Sequence, residues 1–547
     1  MGLGSLQMVF FFLLFLQKCF LMKKILFLFS LFVLATLSEA EGQDQNISNS
    51  GFPDTEPFLA VNPANQNNLI AAWMHFTVAQ KEVIYVKSSF DGGVTWGNQT
   101  SLPHFSPTFT SADVSIAFNS AGEAFLSYVD YHNIAPVPDS GYVRVARSLD
   151  GGKTWSAPVN AVSGKASADL PVDRPWIICD QSNSAYKGKI YLVSKSYYAA
   201  TPPQKVWLSV SADSGKTFSP IKQLDDSIPN GLTNIMGTPT VGADGSLYVA
   251  YASYKPSLSP YARMIVTKST DGGNTFIPYD AMHYASNSTC SDTLYQGSYN
   301  VSANPTQAGN LVLQWTDCRN GDMDILSCYS TDGGITWSSP IRVNDDLPIG
   351  NGYGQDMSWG AFSSSGIYAV TWRDRRNYLT NDTSAFDMYS AFSTTVGNGF
   401  FPGNIHVNGQ SSPFINIQRG NDFIGVAVTG NYILSDWCDQ RTGNTEIFFT
   451  KFDYSQVIST NDIAMTDFKF EIFPNPATKG NINYKIDAAN FESAEIKITD
   501  AQGKEVFSRK IFSEQGTLNA NLPAGNYFVK LFCSGKTYSQ KLEITNR

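Results

Sequence analysis

Charged side chains are scarce in this chain. Asp, Glu, Lys and Arg make up 16% of its 547 residues, where a typical globular domain carries about 25%. Those present lean acidic, 47 Asp and Glu against 38 Lys and Arg, for a net charge of −9. A nucleic acid or an anionic membrane surface would be repelled, which removes both as expected partners and leaves only local basic clusters to meet an anionic sugar. Histidine is rarer still: His75, His104, His132, His283 and His406 share no motif, and no two of the seven cysteines have Cys-x-x-Cys spacing. Neither a zinc protease nor a structural zinc site is expected. A Gly-x-Ser-x-Gly elbow is also missing. Two Gly-Lys-Thr triplets, at Gly152 and Gly215, lack the upstream glycine of a phosphate loop, because Arg147 and Val210 stand there. No cofactor or metal is expected. Asn344-Asp-Asp346 and Asp322-Met-Asp324 would suit a structural Ca²⁺, but solvated turns explain them equally well.

Turn and strand formers are abundant, with 43 Gly, 26 Pro and 13% aromatic residues, so an all-β fold is expected. The length exceeds what one compact core fills, which implies at least two domains. Residues 1–40 read as a signal region. Met22-Lys-Lys opens it, an apolar centre follows, and the small-residue exit ends at Ala40, with Met22 the candidate true start. The apolar run at 25–35 is short for a membrane anchor, the rival reading. Cleavage after Ala40 would remove Cys19 and leave six cysteines, an even number that permits disulfides in an exported protein.

Five copies of one pattern organise the next part. They are Ser89-Phe-Asp91-Gly-Gly-Val-Thr95-Trp96, Ser148-Leu-Asp150-Gly-Gly-Lys-Thr154-Trp155, Ser211-Ala-Asp213-Ser-Gly-Lys-Thr217-Phe218, Ser269-Thr-Asp271-Gly-Gly-Asn-Thr275-Phe276 and Ser330-Thr-Asp332-Gly-Gly-Ile-Thr336-Trp337. The Asp-to-Asp steps are 59, 63, 58 and 61 residues, and a period of that size means repeated units rather than one irregular core. Asp-Gly-Gly supplies residues that accept positive φ, and the Asp side chain can bond the turn's own amides, so each copy should close a hairpin, with the Thr and aromatic beginning the next strand. Units of four short strands begin near Asp54, Asp113, Asp173, Thr238, Tyr299, Asp356 and Asp422. The count gives seven units, with six as the alternative, and such units close into a propeller that removes exposed sheet edges. The pattern is the Asp-box, or BNR repeat, and residues 53–458 resemble the sialidase-like β-propellers. That resemblance implies a structural role for the boxes, away from any catalytic centre.

Residues 41–52 and 459–467 read as linkers. Between 468 and 547 the order Phe473-Pro-Asn-Pro476, Asp500-Ala-Gln-Gly503, Leu522-Pro-Ala-Gly525-Asn-Tyr527 and the closing Lys541-Leu-Glu-Ile544 reads as a small immunoglobulin-like β-sandwich. It resembles the C-terminal sorting domain of proteins exported by the type IX system of Bacteroidetes. This implies a secreted or outer-membrane-surface location, the export machinery as one partner and an extracellular glycan or glycoprotein as the other.

In a four-stranded blade the first and third turns open on one face, and the second turn and the blade entries on the other. The boxes take the third turn, so function is expected at second turns and first-strand entries. Second turns carry Trp315-Thr-Asp317-Cys-Arg319, Trp372-Arg-Asp374-Arg-Arg376 and Trp437-Cys-Asp439-Gln-Arg441. Two readings stay open: Arg319, Arg376 and Arg441 converge on a substrate carboxylate or sulfate, or each pairs with the Asp two residues earlier and holds its turn. The entries present Glu56, Asp113, Asp173-Arg174, Thr238, Tyr299, Asp356 and Asp422. The resemblance implies an exo-sialidase-like glycosidase, with Asp113 or Glu56 as proton donor, Tyr299 or Tyr353 as nucleophile, and Arg174, Arg319, Arg376, Arg441 and Asp356 on the substrate. Arg174 lies in the third unit, whereas the sialidase Arg-Ile-Pro element precedes the first box. The alternatives are a non-catalytic binding or adhesion propeller and, more distantly, a polysaccharide lyase using His and Tyr.

Overall fold

The computed structural model describes residues 44–547 except 80, 133–137, 165–169, 198–204, 226–235, 254–262, 284–298, 347–352, 379–384, 398, 401–402, 414–422, 456–467, 479–481, 489–492, 501–503, 534–535 and 546–547. The signal region, the second linker and Asp422 lie outside the described residues. The fold is all-β and divides after Phe452 into two units.

In the first unit the described residues form seven four-stranded sheets. Their innermost strands are Asp54–Val61, Thr110–Phe118, Asp173–Cys179, Thr238–Val241, Tyr299–Ala303, Gln355–Phe362 and Gly425–Thr429, which we number blades 1 to 7. First strands meet first strands from blade to blade, and blade 7 meets blade 1, so the sheets close around an axis. The closing strand comes from the stretch read as a linker: Gln45–Asn46 pairs with Glu446–Asp453 as the outer strand of blade 7. Ile47, 3% exposed, sits with Leu59, Trp73, Leu434 and Phe449 in the slab between blades 7 and 1.

The hydrophobic core is distributed as slabs of this kind. One holds Ile70, Ile84, Ile116 and Leu126 between blades 1 and 2, and another holds Val312, Ile325, Val370 and Trp372 between blades 5 and 6. Each such side chain contributes roughly 1.5–3 kcal/mol by leaving water. A polar seam runs alongside: Ser115 Oγ accepts the Ile177 amide at 3.2 Å, Thr240 Oγ1 the Ala303 amide at 3.0 Å, and Asn300 donates to the Gly360 carbonyl at 2.8 Å. Each bond links a blade to the next one's innermost strand.

The five boxes share one geometry. In the first, Ser89 Oγ donates to Asp91 Oδ1 at 2.8 Å and accepts the Gly93 amide at 2.9 Å, while Asp91 takes the Thr95 amide at 2.9 Å and its hydroxyl at 2.5 Å. Gly93 has φ +88° and lies so close to Phe449 of blade 7 that a Cβ would stand 2.6 Å from its ring. Gly152 meets Ile70 of blade 1 in the same way, so the second box glycine allows the turn to lock onto the preceding blade. The strand expected to start at the Thr-aromatic pair does so in blade 4, as Ile277–His283 directly after Phe276, whereas in blade 2 it begins only at Val159–Ser163 and in blades 1, 3 and 5 it shrinks to a residue pair. Trp337 folds back to donate from Nε1 to the Gly334 carbonyl at 3.0 Å, and the outer strand is only Ile341–Arg342.

The second unit has a three-stranded sheet (Phe468–Phe473, Ile482–Ala488, Gln515–Leu518) and a five-stranded one (Ala477–Thr478, Lys536–Thr545, Gly525–Cys533, Ala494–Asp500, Glu505–Ile511). Alternating residues such as Ile482, Ile486, Ile496, Ile498, Val529, Leu531 and Leu542 fill one shared core. Cys318 is disulfide-bonded, whereas Cys179, Cys328 and Cys438 are buried free thiols. Among the described residues no helix is long and apolar enough to cross a membrane.

Candidate functional site

The face opposite the boxes is built around four irregular entries. The innermost strands of blades 1, 2, 3 and 6 each carry a register shift, between Thr55 and Phe58, Ala112 and Val114, Asp173 and Trp176, and Asp356 and Trp359. Each bulge holds a non-glycine residue in the left-handed region: Glu56 at φ +53°, Asp113 at +47°, Arg174 at +48° and Met357 at +53°. Such conformers cost about 1 kcal/mol or more apiece and gather where function aims a side chain. Two residues later in three of these blades an aromatic enters the axis. Trp176 lies at the centre, its ring 5.5 Å from Phe58, 5.5 Å from Trp359 and 5.0 Å from Phe423 between centroids, giving the mouth an aromatic floor.

Above this floor the polar groups form a girdle. The Glu56 carboxylate accepts the Asp113 amide at 3.3 Å, and the Asp113 carboxyl accepts the Arg174 amide at 3.0 Å. The Arg174 guanidinium lies 4.6 Å from the centre of the Phe423 ring and 4.0 Å from Met236 Sδ. Glu56 and Arg174 are buried, while Asp113, Tyr131 and Tyr197 keep some exposure. Asp113 also hydrogen-bonds Asp173, and burial together with that neighbouring charge pushes Asp113 up to about 7, against the pull of Arg174. Asp173 moves the other way. Burial opposes its charge, but Lys195, with Nζ 2.8 Å from Asp173 Oδ2, and Arg174 hold it below the usual carboxylate range. The pair has therefore separated into an acid and a base.

Across the mouth Asp356 receives Arg373 through Nε at 2.7 Å and Nη2 at 2.8 Å, and Arg375 through Nη2 at 3.2 Å. Burial works to raise this carboxylate, yet the two guanidinium groups outweigh it and hold it at about 2.

The other expected residues do not assemble here. Arg319 binds Asp317 (Nε to Oδ2, 3.0 Å), Arg376 binds Asp374 (Nη2 to Oδ2, 2.8 Å) and Arg441 binds Asp439 (Nε to Oδ2, 3.0 Å), each on its own blade. Each Asp also accepts the indole N–H of its motif's Trp. Of the two readings left open, these bonds are those of the turn-holding one, in which each Arg pairs with the Asp two residues earlier. The reason is geometric, since a guanidinium two residues past a buried carboxylate reaches it within the turn and leaves the axis. Tyr299, expected as a nucleophile, donates its hydroxyl to the Met236 carbonyl at 2.5 Å and accepts the Met236 amide at 2.9 Å, and burial pushes it up to about 12. That hydroxyl is committed to the backbone. Tyr353 stands just before blade 6, its carbonyl accepting Gln355 Nε2 at 2.7 Å.

Lys195, Arg373 and Arg375 were not singled out by sequence. Period-two alternation within Trp372-Arg-Asp374-Arg carried a signal for the arginines, because residues 373 and 375 must face away from the Trp and Asp. Lys195 is the cross-strand partner of Asp173, a relation that no motif announces.

Residues 138–385 match the model of a BNR repeat-like domain, and residues 471–545 that of a secretion system C-terminal sorting domain. The chain carries both domains. The sorting domain marks it for type IX export, to the outer-membrane surface or beyond. A search of curated proteins finds no match. Similar solved structures include the Hadza microbial sialidase Hz136, at 13% identity over 72% of this chain and 75% of that one with a TM-score of 0.41. The NanB sialidase from Streptococcus pneumoniae is similar at 14% identity over 75% and 70%, with a TM-score of 0.39. An α-L-arabinofuranosidase from Fusarium graminearum is similar at 14% over 65% and 97%, with a TM-score of 0.42.

Proposed function

We propose that this exported propeller hydrolyses glycosidic bonds at its channel mouth, with Asp113 as proton donor, on a glycan bearing an acid group. The observation that carries the reading is the Asp113–Asp173 carboxyl pair, in which burial and the neighbouring charge push Asp113 up to about 7 while the residue keeps some exposure, the range that suits a general acid. Glu56, leaning on the Asp113 amide, is the nearby second carboxylate. Around the mouth the carboxylates of Glu56, Asp173 and Asp356 face four cations, Lys195, Arg174, Arg373 and Arg375. These cations suit an anionic sugar in spite of the acidic chain. The aromatic floor suits the apolar face of a pyranose.

A second reading, a glycan- or protein-binding propeller without turnover, is favoured by one observation: the hydroxyl of Tyr299 and the guanidinium groups of Arg319, Arg376 and Arg441 all have structural partners. The deciding experiment assays the full chain on a fluorogenic sialoside and on uronic and sulfated polysaccharides, with calorimetry on the same glycans. Hydrolysis reduced about 10²–10⁴-fold in Asp113→Asn supports the first reading. Binding of the same glycans without any turnover selects the second.

A further inference from the structure

Lys195 is 1% exposed, so its charge requires a partner, and the structure supplies one carboxylate, Asp173, directly across the strand pair. Asp173 in turn touches the carboxyl of Asp113 on the neighbouring blade. Two carboxyl groups in contact hold one proton between them. The ion pair decides where it rests, because the carboxyl beside the ammonium is the better anion. We propose that Lys195 and Asp173 are positioning residues, a buried relay that keeps the shared proton on Asp113, the member of the pair that opens to the mouth. Asp113 is fixed from the other side by the Arg174 amide, and its left-handed backbone aims it across the blade boundary.

The inference rests on Asp113 being the proton donor proposed above. In that step the Asp113 proton passes to the departing glycosidic oxygen as the anomeric C–O bond breaks. Water then supplies hydroxide to the anomeric carbon and returns a proton to Asp113. The groups around Asp113 are Glu56 from blade 1, Asp173 and Arg174 from blade 3 with Lys195 behind Asp173, and Tyr131 from its own blade, which also lies near Glu82 and Tyr197.

The relay is tested without substrate by following the side-chain carboxyl ¹³C signal of Asp113, assigned through Asp113→Asn, against pH in the full chain. Opposite shifts are expected. Asp173→Asn removes the neighbouring negative charge, so Asp113 titrates at lower pH than in the parent. Lys195→Met removes the ammonium, so the pair gives up its proton at higher pH, and the Asp113 signal below that point becomes intermediate because the proton is no longer localised. Lys195→Arg restores the parent curve. If the midpoint of Asp113 is the same in Asp173→Asn and Lys195→Met, the relay is overturned, and the near-isosteric Asp173→Asn decides alone should Lys195→Met fail to fold. The alkaline limb of any pH–rate profile should move with these midpoints. Expected titrations in a protein that hydrolyses no glycan would sink the proposed activity and leave the relay standing, whereas hydrolysis with unshifted titrations would sink the relay alone.

Discussion

At the scale of single residues, the most exacting position outside the mouth is Asp436 in the second strand of blade 7. It is fully buried, and neither carboxyl oxygen has a hydrogen-bonding side chain among the described residues. Gly425 across the strand pair must be glycine, because a Cβ would stand 2.1 Å from Asp436 Oδ1 and 2.7 Å from the Leu59 nitrogen of blade 1. Burial raises Asp436 to about 8, above its value in the unfolded chain, so the fold prefers the neutral acid. Its destabilising effect is absent at pH 4 and below and grows as pH climbs toward 8. Asp436→Asn should therefore resist denaturant better than the parent at pH 8, by on the order of 1–3 kcal/mol, with the advantage gone by pH 4. Urea midpoints measured across that range check it, and a constant offset would show that charge is not the cause. Glu56, Asp113 and Arg174 were legible as entry residues because strand starts align from unit to unit. Their partners were not, since a bulge displaces the cross-strand register by a residue and the sequence does not mark where.

Among the elements, the box was the most legible, because Ser, Asp, Gly and Thr each have one task within eight residues. The Thr95 hydroxyl and amide hold Asp91 at about 2, and Thr217 does the same for Asp213. A carboxylate held below its unfolded value stabilises the fold above pH 4 and ceases to do so as pH falls through about 2. Asp91→Asn and Asp213→Asn should lower the melting temperature at pH 7 and have a shrinking effect from pH 4 to pH 2, measured by circular dichroism. Equal destabilisation at both ends would assign the loss to packing instead. What the pattern hid was the length of the outer strand, which runs from a residue pair in blades 1, 3 and 5 to Ile277–His283 in blade 4. The Trp-x-Asp-x-Arg element was legible as a repeat, and its recurrence on three blades already hinted at scaffold over ligand. In blade 1 the indole of Trp73 instead donates to Asp54 of the innermost strand at 2.9 Å, with His75 in the Asp position.

For the whole molecule, the units were readable from their spacing, but the way the ring shuts was not, because two strand residues carry no periodicity. The closing strand is anchored by the Ile47 amide on the Ile447 carbonyl at 2.9 Å, by Lys87 Nζ on the Ile47 carbonyl at 2.7 Å, and by the ion pair of Arg441 with Asp44 at 2.6 Å. Ile47→Ala should cost about 2–5 kcal/mol and shift the melt of the first unit downward by several degrees. An unchanged melt in differential scanning calorimetry would mean that the seal contributes nothing to the ring.

That seal joins residues 400 positions apart, Asn46 to Glu446. The stretch that leaves the ribosome early must wait for a stretch made long after it, so the last blade cannot be finished during synthesis.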